Sequence, residues 1–227
     1  MTATRILSLI TFLAPSFATP SSAQNASLQN ATLQVAFKFD RPVAGVTVPH
    51  YTIEVHGDGI GLYHAELPIA NSLDTRKIDR PLAITPASTK TVFELLDTLQ
   101  SSNVPCASKM KNIADTGTKT LTYRDSKGNG ACTYNFSENK AVAQITDFFL
   151  TIEFTLEEGR ALDFKHRFDR LGLDAEMTIL AAAVESGRAK EVGNIAATLR
   201  SIAGDTELIE RVRLRAAKLL EGVHSGD

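Results

Sequence analysis

Two β-rich segments with a short glycine-containing link restrict the folds that this chain can adopt. The segments "HYTIEVH" and "LYHAELPI" flank the link "GDGIG". In the first segment, Tyr51, Ile53 and Val55 alternate with polar residues, which is typical of a strand that buries one face. Asp58-Gly59 in the link supplies the positive φ that a tight turn requires. The sequence therefore predicts an antiparallel hairpin with one apolar and one polar face.

Other segments show strand and helix periods in turn. Apolar residues at every second position from Leu33 to Phe39 predict a strand, and "KTLTYRD" and "ACTYNFS", joined by "SKGNG", predict a second hairpin. Helical spacing predicts a helix that begins at Thr85-Pro86, since proline is favoured in the first turn, and another from Ala141 onward. We therefore predict an α+β fold, in which helices cover one face of a small, mostly antiparallel sheet of hairpins.

The last third of the chain is rich in Ala, Leu, Glu and Arg and is interrupted by glycines. The segments "DAEMTILAAAVES", "AKEVGNIAATLRSIA" and "DTELIERVRLRAAKLLE" predict three short consecutive helices. Each glycine stands where a left-handed residue would end a helix. These glycines are Gly172, Gly187, Gly204 and Gly222. We predict a helical extension packed on the preceding domain, with a helical repeat as the alternative.

The N-terminus has the order of a secretory signal peptide. Arg5 precedes an apolar run from Ile6 to Ala14, and small residues follow up to Ala23, as in the charged start, apolar centre and cleavage site of an export signal. A buried amphipathic helix is the alternative. We predict cleavage after Ala23, or else after Thr19, and a soluble protein that is secreted or periplasmic. The predicted organisation is a signal peptide at 1–23, a disordered linker at 24–32, an α+β domain at 33–171 and a helical extension at 172–227.

The chain contains two cysteines, Cys106 and Cys132. In an oxidising compartment two thiols of one chain usually pair. A disulfide that closes a loop of this length stabilises the fold by roughly 3–4 kcal/mol, because it restricts the unfolded chain. A catalytic thiol would need a nearby base, which no pattern supplies. Two cysteines are also too few for a structural zinc site without histidines. We therefore predict a disulfide between Cys106 and Cys132.

The glycine-rich link has two alternative interpretations besides a turn. A dinucleotide-binding loop needs glycines between a strand and a helix, but here a strand follows. Zinc accepts imidazole and carboxylate ligands, and four such residues could share the polar face of the hairpin. They are His50, Glu54, His56 and His64. A solvated strand face carries such residues without any metal, so we predict a turn and no metal or cofactor site.

The sequence Asp115-Thr116-Gly117 matches the catalytic loop of aspartic proteases, in which two carboxylates share a proton and activate water. That chemistry needs a second such aspartate and apolar strands on both sides of the loop. Here the lysine-containing "ASKMKN" precedes the motif, and the chain soon becomes helical. We predict a surface turn, with an aspartic-type hydrolase as the alternative.

The charge balance does not favour nucleic acid or a membrane as a partner. Lys plus Arg number 24 and Asp plus Glu 26, for a net charge of −2, so the chain lacks the excess of cations that binds polyanions. Arg211, Arg215 and Lys218 share a helical stripe that could bind an anionic partner, although such a stripe is usually a solvated face. The formal N-glycosylation acceptors are Asn25, Asn30 and Asn135.

The hairpin "YTIEVHGDGIGLYHAE", the helix at Phe93–Leu99 and the two strands after it resemble uncharacterised exported bacterial proteins of unknown function. The resemblance extends over roughly residues 35–135, and its most specific part is Asp58-Gly59-x-Gly61-x-Tyr63. It implies an α+β domain in the bacterial envelope and brings no catalytic residues.

The sequence contains no nucleotide-binding loop, zinc-protease motif or serine-hydrolase elbow. We therefore predict a non-enzymatic, exported binding or interaction module whose partner is a protein or a small molecule. The alternatives are a hydrolase that uses Asp115 and a helical dimerisation or assembly protein.

Overall fold

The computed structural model describes residues 33–43, 45–72 and 74–224 of the chain. The predicted signal peptide and linker lie outside the described residues. Within them the chain forms a six-stranded antiparallel sheet and five α-helices. The predicted α+β class is confirmed.

The strands are β1 Gln34–Asp40, β2 His50–His56, β3 Ile60–Pro68, β4 Thr75–Ala83, β5 Thr118–Asp125 and β6 Gly128–Tyr134. The helices are α1 Pro86–Ser101, α2 Lys140–Phe168, α3 Leu173–Glu185, α4 Ala196–Gly204 and α5 Glu210–His224, with a 3₁₀ helix at Val192–Ile195. None of the described helices has both the length and the apolar character needed to cross a bilayer.

The strand order is β4-β3-β2-β1-β5-β6, so the first strand of the chain lies inside the sheet. In β1, Phe37 pairs with Ile53 of β2 and with Leu121 of β5. All three side chains are fully buried. Because paired residues of antiparallel strands project from the same face, this row forms the floor of the core.

The predicted hairpin is β2–β3, and its link is a turn. The N–H of Gly59 donates to the carbonyl of His56 at 2.9 Å. Gly59 has a φ of 82°, and a Cβ atom there would lie 2.7 Å from Thr89 Oγ1 and 2.8 Å from the carbonyl oxygen of Ile84. Glycine is therefore required both by the backbone conformation and by the close approach of α1 and the end of β4.

Capping side chains fix where the first two helices begin. Thr85 Oγ1 accepts the N–H of Ser88 at 3.3 Å, and Pro86 occupies the first turn of α1, as predicted. The side-chain oxygen of Asn139 accepts two backbone N–H groups at the start of α2. Such caps satisfy amide groups that have no partner inside the helix. α2 then continues to Phe168, well beyond the predicted apolar face at 141–152.

α2 contributes to two apolar clusters. In the first part of the helix Phe149 stacks on Phe37 of the sheet, with ring centroids 5.4 Å apart. In its last part Leu162 is buried together with Met177 of α3 and Leu199 of α4. The helix thus joins the sheet core to the core of the C-terminal helices. The division of the chain at 171/172 remains a prediction.

One of the four glycines predicted to end a helix in the left-handed conformation does so. Gly187 follows α3 and has a φ of 74°. The prediction is wrong for Gly172, which precedes α3 with a φ of −75°, for Gly204, the last residue of α4, and for Gly222, inside α5. Asp169 ends α2 instead, with its N–H bonded to a carbonyl of the last turn. A glycine in the sequence does not by itself distinguish a helix end from a helix start or interior.

The sequence analysis does not predict β4. Its sequence TRKIDRPLA carries three basic residues and Pro81, which is unusual for a strand. β4 lies at the edge of the sheet, where one row of backbone groups has no strand partner and charges and proline are tolerated.

The middle helix of the C-terminal region is shorter than the predicted 189–203, because the residues before it bond to the sheet domain. Glu191 has a φ of 55°, and its carboxylate accepts the N–H of Thr85 at 2.9 Å and its hydroxyl at 3.2 Å. The side-chain amide of Asn194 exchanges two hydrogen bonds of 2.8 Å with the backbone of Ala83. These bonds attach the C-terminal helices to the end of β4 and the start of α1.

Replacing Gly59 by alanine is expected to destabilise the protein more than the same change at Gly187. Both glycines have a positive φ, but nothing lies within 4 Å of a Cβ atom at Gly187. Gly187→Ala therefore costs about 1–2 kcal/mol of backbone strain, and Gly59→Ala adds a steric term of roughly 1 kcal/mol or more. Urea denaturation measures both. Equal losses of stability would contradict the close approach.

Candidate binding site on the uncovered face of the sheet

The sheet has one covered and one uncovered face. α1 and α2 pack on the face that carries Phe37, Ile53 and Tyr63. On the opposite face, called the outer face below, the side chains of all six strands are half-buried or exposed. Antiparallel sheets commonly leave one face in water. Polar residues on this face are therefore not evidence of a binding site. We use the shape of the surface and the pairing of its side chains to locate a candidate site.

A trough crosses the outer face of β1, β5 and β6. Its floor is a row of small side chains, because Ala36 pairs with Thr122 and Thr122 pairs with Ala131. Longer side chains stand around this row and enclose a concavity of about 480 Å³. The trough is thus a direct consequence of the strand register.

Four polar side chains form the rim of the trough. Gln34, Arg124 and Asn129 are paired across the same three strands, in the row next to the floor. Glu54 stands on β2, opposite Ala36. The rim therefore combines a carboxylate, a guanidinium and two amides.

The rim side chains are unpaired among the described residues, as are those of His56, Glu66 and Lys77, whereas five other side chains of the outer face pair with one another. His50 bonds to Asp40 at 2.9 Å, Lys38 lies 3.0 Å from the same carboxylate, and His64 bonds to Asp79 at 2.6 Å. Although burial alone would raise the pKa of Asp40, the hydrogen bonds from His50 and Lys38 lower it overall.

By contrast, the side chains of Gln34, Glu54, Arg124 and Asn129 make no hydrogen bond or ion pair to another described residue. Unpaired donors and acceptors around a concavity can bind a ligand without first breaking an internal bond.

The four residues considered as zinc ligands do share the outer face, but they do not converge. His50 and His64 bond to different aspartates, Asp40 and Asp79. No group of three or more His, Cys, Asp or Glu side chains among the described residues is arranged to hold a metal ion. Glu54 contributes to the trough rim instead, together with residues from β1, β5 and β6.

Asp115-Thr116-Gly117 forms an exposed turn. The Asp115 carboxylate accepts the N–H of Gly117 at 2.9 Å, and the N–H of Thr116 donates to the side chain of Asn135 at 2.8 Å. A side-chain oxygen that bonds two residues ahead is typical of an Asx turn. The geometry is that of the predicted surface turn, and the carboxylate stabilises its own backbone.

The predicted glycosylation acceptor Asn135 is held by the same turn. Its side-chain nitrogen donates to the carbonyl of Ala114 at 2.8 Å, while its oxygen accepts from Thr116. The other two acceptors, Asn25 and Asn30, lie outside the described residues.

Lys119 is a buried cation that the sequence analysis does not single out. Its ammonium group donates to the carbonyls of Thr116, Gly117 and Asn135 and to the hydroxyl of Thr116, at 2.9–3.3 Å. Burial lowers the pKa of Lys119, against the opposing effect of the Asp115 carboxylate. In the segment "KTLTYRD", Lys119 occupies the same set of alternate positions as Leu121 and Tyr123, which face the core. This position is the signal in the sequence that could have identified it.

Lys119 borders a second cavity of about 330 Å³, lined by apolar groups that include Phe39, Phe136 and Leu150. Most of its polar groups are already used: Lys119 bonds to four acceptors, and the Tyr134 hydroxyl bonds to Thr146. Asp147 is a lining carboxylate without a partner among the described residues. The trough, which has four such side chains, is therefore the better candidate for a polar ligand.

The basic stripe of α5 is largely paired. Arg211 and Arg215 bond to the carboxylate of Asp174 at 3.0 and 3.1 Å, and these hydrogen bonds, that of Arg211 first, lower the pKa of Asp174. The two arginines thus join α5 to the start of α3.

The two cysteines lie at disulfide-bonding distance, as predicted. The Cα atoms of Cys106 and Cys132 are 6.0 Å apart, which is within the range of disulfides. Cys132 is on β6, so the pair ties the segment after α1 to the edge strand next to the trough.

Two half-buried carboxyl groups of α2, those of Glu153 and Glu158, have raised pKa values that the sequence pattern does not predict. Burial, with a smaller contribution from Glu157, raises the pKa of Glu153 to about 7. Burial and a hydrogen bond with Glu176 raise the pKa of Glu158 to about 7. Glu157 is neutralised by Arg160 at 2.6 Å and accepts the Tyr63 hydroxyl at 3.2 Å.

Replacing Glu153 by glutamine is expected to stabilise the protein above neutral pH. The ordinary pKa of this carboxyl is 4.5 and the folded value is about 7, so between these values the unfolded chain loses a proton that the folded chain keeps. The free energy of unfolding therefore falls as the pH rises through this window. The variant, which cannot ionise, should be more stable by about 1–3 kcal/mol at pH 8 and nearly unchanged at pH 4.

Urea denaturation at pH 4, 6 and 8 measures this difference, with the exposed Glu210→Gln as the control. A Glu153→Gln variant no more stable than wild type at pH 8 would show that the carboxyl ionises in the folded state without penalty.

Comparison with known proteins gives no family. No protein-family model matches the chain, and no curated protein matches it in sequence.

Proposed function

We propose that this chain is an exported, non-enzymatic binding module that holds a small polar ligand in the trough of the outer face. The observation that carries the proposal is the convergence of unpaired groups on one concavity: a carboxylate, a guanidinium and two amides, all unpartnered within the described chain, surround the trough. The disulfide distance between Cys106 and Cys132 supports the exported location, since such pairs persist in oxidising compartments.

The charges of the rim favour a ligand that carries both signs. Glu54 on β2 and Arg124 on β5 stand on either side of β1, so their strands are roughly 10 Å apart. Glu54 can accept hydrogen bonds from an ammonium group, and Arg124 can bind a carboxylate with two parallel hydrogen bonds. Gln34 and Asn129 offer amides to the polar atoms between them. A short peptide with free termini meets these requirements.

Isothermal titration calorimetry with triglycine, and with the same peptide blocked at both ends, tests the proposal. We expect the free peptide to bind at least about 10-fold more tightly than the blocked one, because each charged hydrogen-bonding group contributes roughly 1.5–3 kcal/mol. Glu54→Gln and Arg124→Gln should each weaken binding of the free peptide and reduce its advantage.

Ala131→Phe and Thr133→Phe form a matched pair of variants. Both residues are exposed on the outer face of β6, but only Ala131 belongs to the trough floor. Ala131→Phe should abolish binding, and Thr133→Phe should leave it nearly unchanged. Failure of wild type to bind either peptide, or binding that survives Ala131→Phe, would contradict the proposal.

A further inference from the structure

The end of α2 carries an exposed apolar ridge that the trough does not involve. Phe164, Phe168 and Leu171 are 57%, 73% and 96% exposed. Residues four apart lie on the same side of a helix, and the rings of Phe164 and Phe168 have centroids 5.2 Å apart. Leu171 follows in the turn that leads to α3. These three side chains are called the apolar ridge below.

Charged groups beside the ridge are already neutralised. Arg167 bonds to Asp163 at 2.9 Å, and Arg170 bonds to Glu207 at 2.7 Å. A second ion pair links Arg170 to Asp205 at 3.3 Å. The ridge is thus an apolar centre beside internally paired charges, which resembles the centre and rim of a protein interface.

This pairing argues against an anionic lipid surface as the occupant. Helices that bind such surfaces present unpaired Lys and Arg next to their apolar face, whereas both arginines beside the ridge are held by carboxylates. A surface whose cations are held in ion pairs by its own carboxylates presents no unpaired cation to an identical copy of itself.

The exposed area suits a dimer. Three large side chains at these exposures present roughly 400–500 Å² of surface. Two copies that meet ridge to ridge would bury at most about 800–1,000 Å², which is the size of a weak, reversible interface.

We propose that two copies of this chain associate through the apolar ridge, packed about a two-fold axis. The contact lies at the end of α2 and in the α2–α3 turn, rather than in the helices after Gly172. It is independent of the trough, which is on the outer face of the sheet.

Sedimentation velocity from 1 to 100 µM tests this on the protein recovered from an exporting bacterial host. Wild type should pass from monomer to dimer in this range. Phe168→Ser combined with Leu171→Ser should raise the dissociation constant at least 10-fold. The control Leu214→Ser, at a residue of α5 that is 60% exposed, should leave it unchanged.

Far-UV circular dichroism and melting temperature verify that all variants remain folded. A wild type that stays monomeric at 100 µM would overturn the proposal, as would a double variant that dimerises like wild type. Flotation of monomeric wild type with phosphatidylglycerol vesicles, lost in the double variant, would also overturn it and assign the ridge to lipid.

Discussion

The packing of α2 against the sheet determines which surfaces of this protein are free to act. Phe149 stacks on Phe37, and β1, β2, β3 and β5 supply the buried floor beneath the helix. Most of this face is sealed by fully buried side chains, and the cavity beside Lys119 is the space that remains between it and α2. The larger concavity lies on the outer face, which no helix covers.

The same helix positions the C-terminal region. Leu162 in its second half is buried among α3, α4 and α5, and the Thr155 hydroxyl bonds to the backbone of Lys190. Glu191 and Asn194 complete the attachment at Thr85 and Ala83. The half-buried glutamates of α2 reduce stability in their ionised form, which makes the strength of this packing depend on pH.

The sequence predicted the parts of the fold that local chemistry determines. Alternation identified β1 and β2, and the glycine-containing links identified the hairpins that add β3, β5 and β6. The Asp58-Gly59 turn followed from backbone conformation, and the Thr85-Pro86 start of α1 followed from the preference of proline for the first turn. β4 was missed because an edge strand tolerates charge and proline. It is held in the sheet by its pairing with β3, and its own sequence has no clear alternation of apolar residues. Gly172, Gly204 and Gly222 misled because helix ends depend on which hydrogen bonds the surroundings offer. The middle helix was overextended because Glu191 bonds to Thr85, over a separation that no local pattern shows.

The site was less accessible to sequence reasoning than the fold. Glu54 was placed correctly on the polar face of its hairpin, but the trough also needs Ala36, Thr122 and Ala131 side by side. That row depends on the pairing of β1 with β5, which are far apart in sequence and whose register no local pattern fixes. Lys119 was missed because a lysine in a strand is ordinarily solvated, and its burial depends on carbonyls that the Asp115 turn and Asn135 bring together.

The central claim is that this protein binds its ligand on the face of the sheet that α2 leaves open. Backbone amide shifts recorded by NMR during addition of triglycine would locate the site directly. The account predicts that the perturbed amides cluster at residues 34–36, 54 and 122–131, with α2 unaffected. Perturbations centred on Phe39, Lys119 and Leu150, or an absence of perturbation at millimolar peptide, would contradict it.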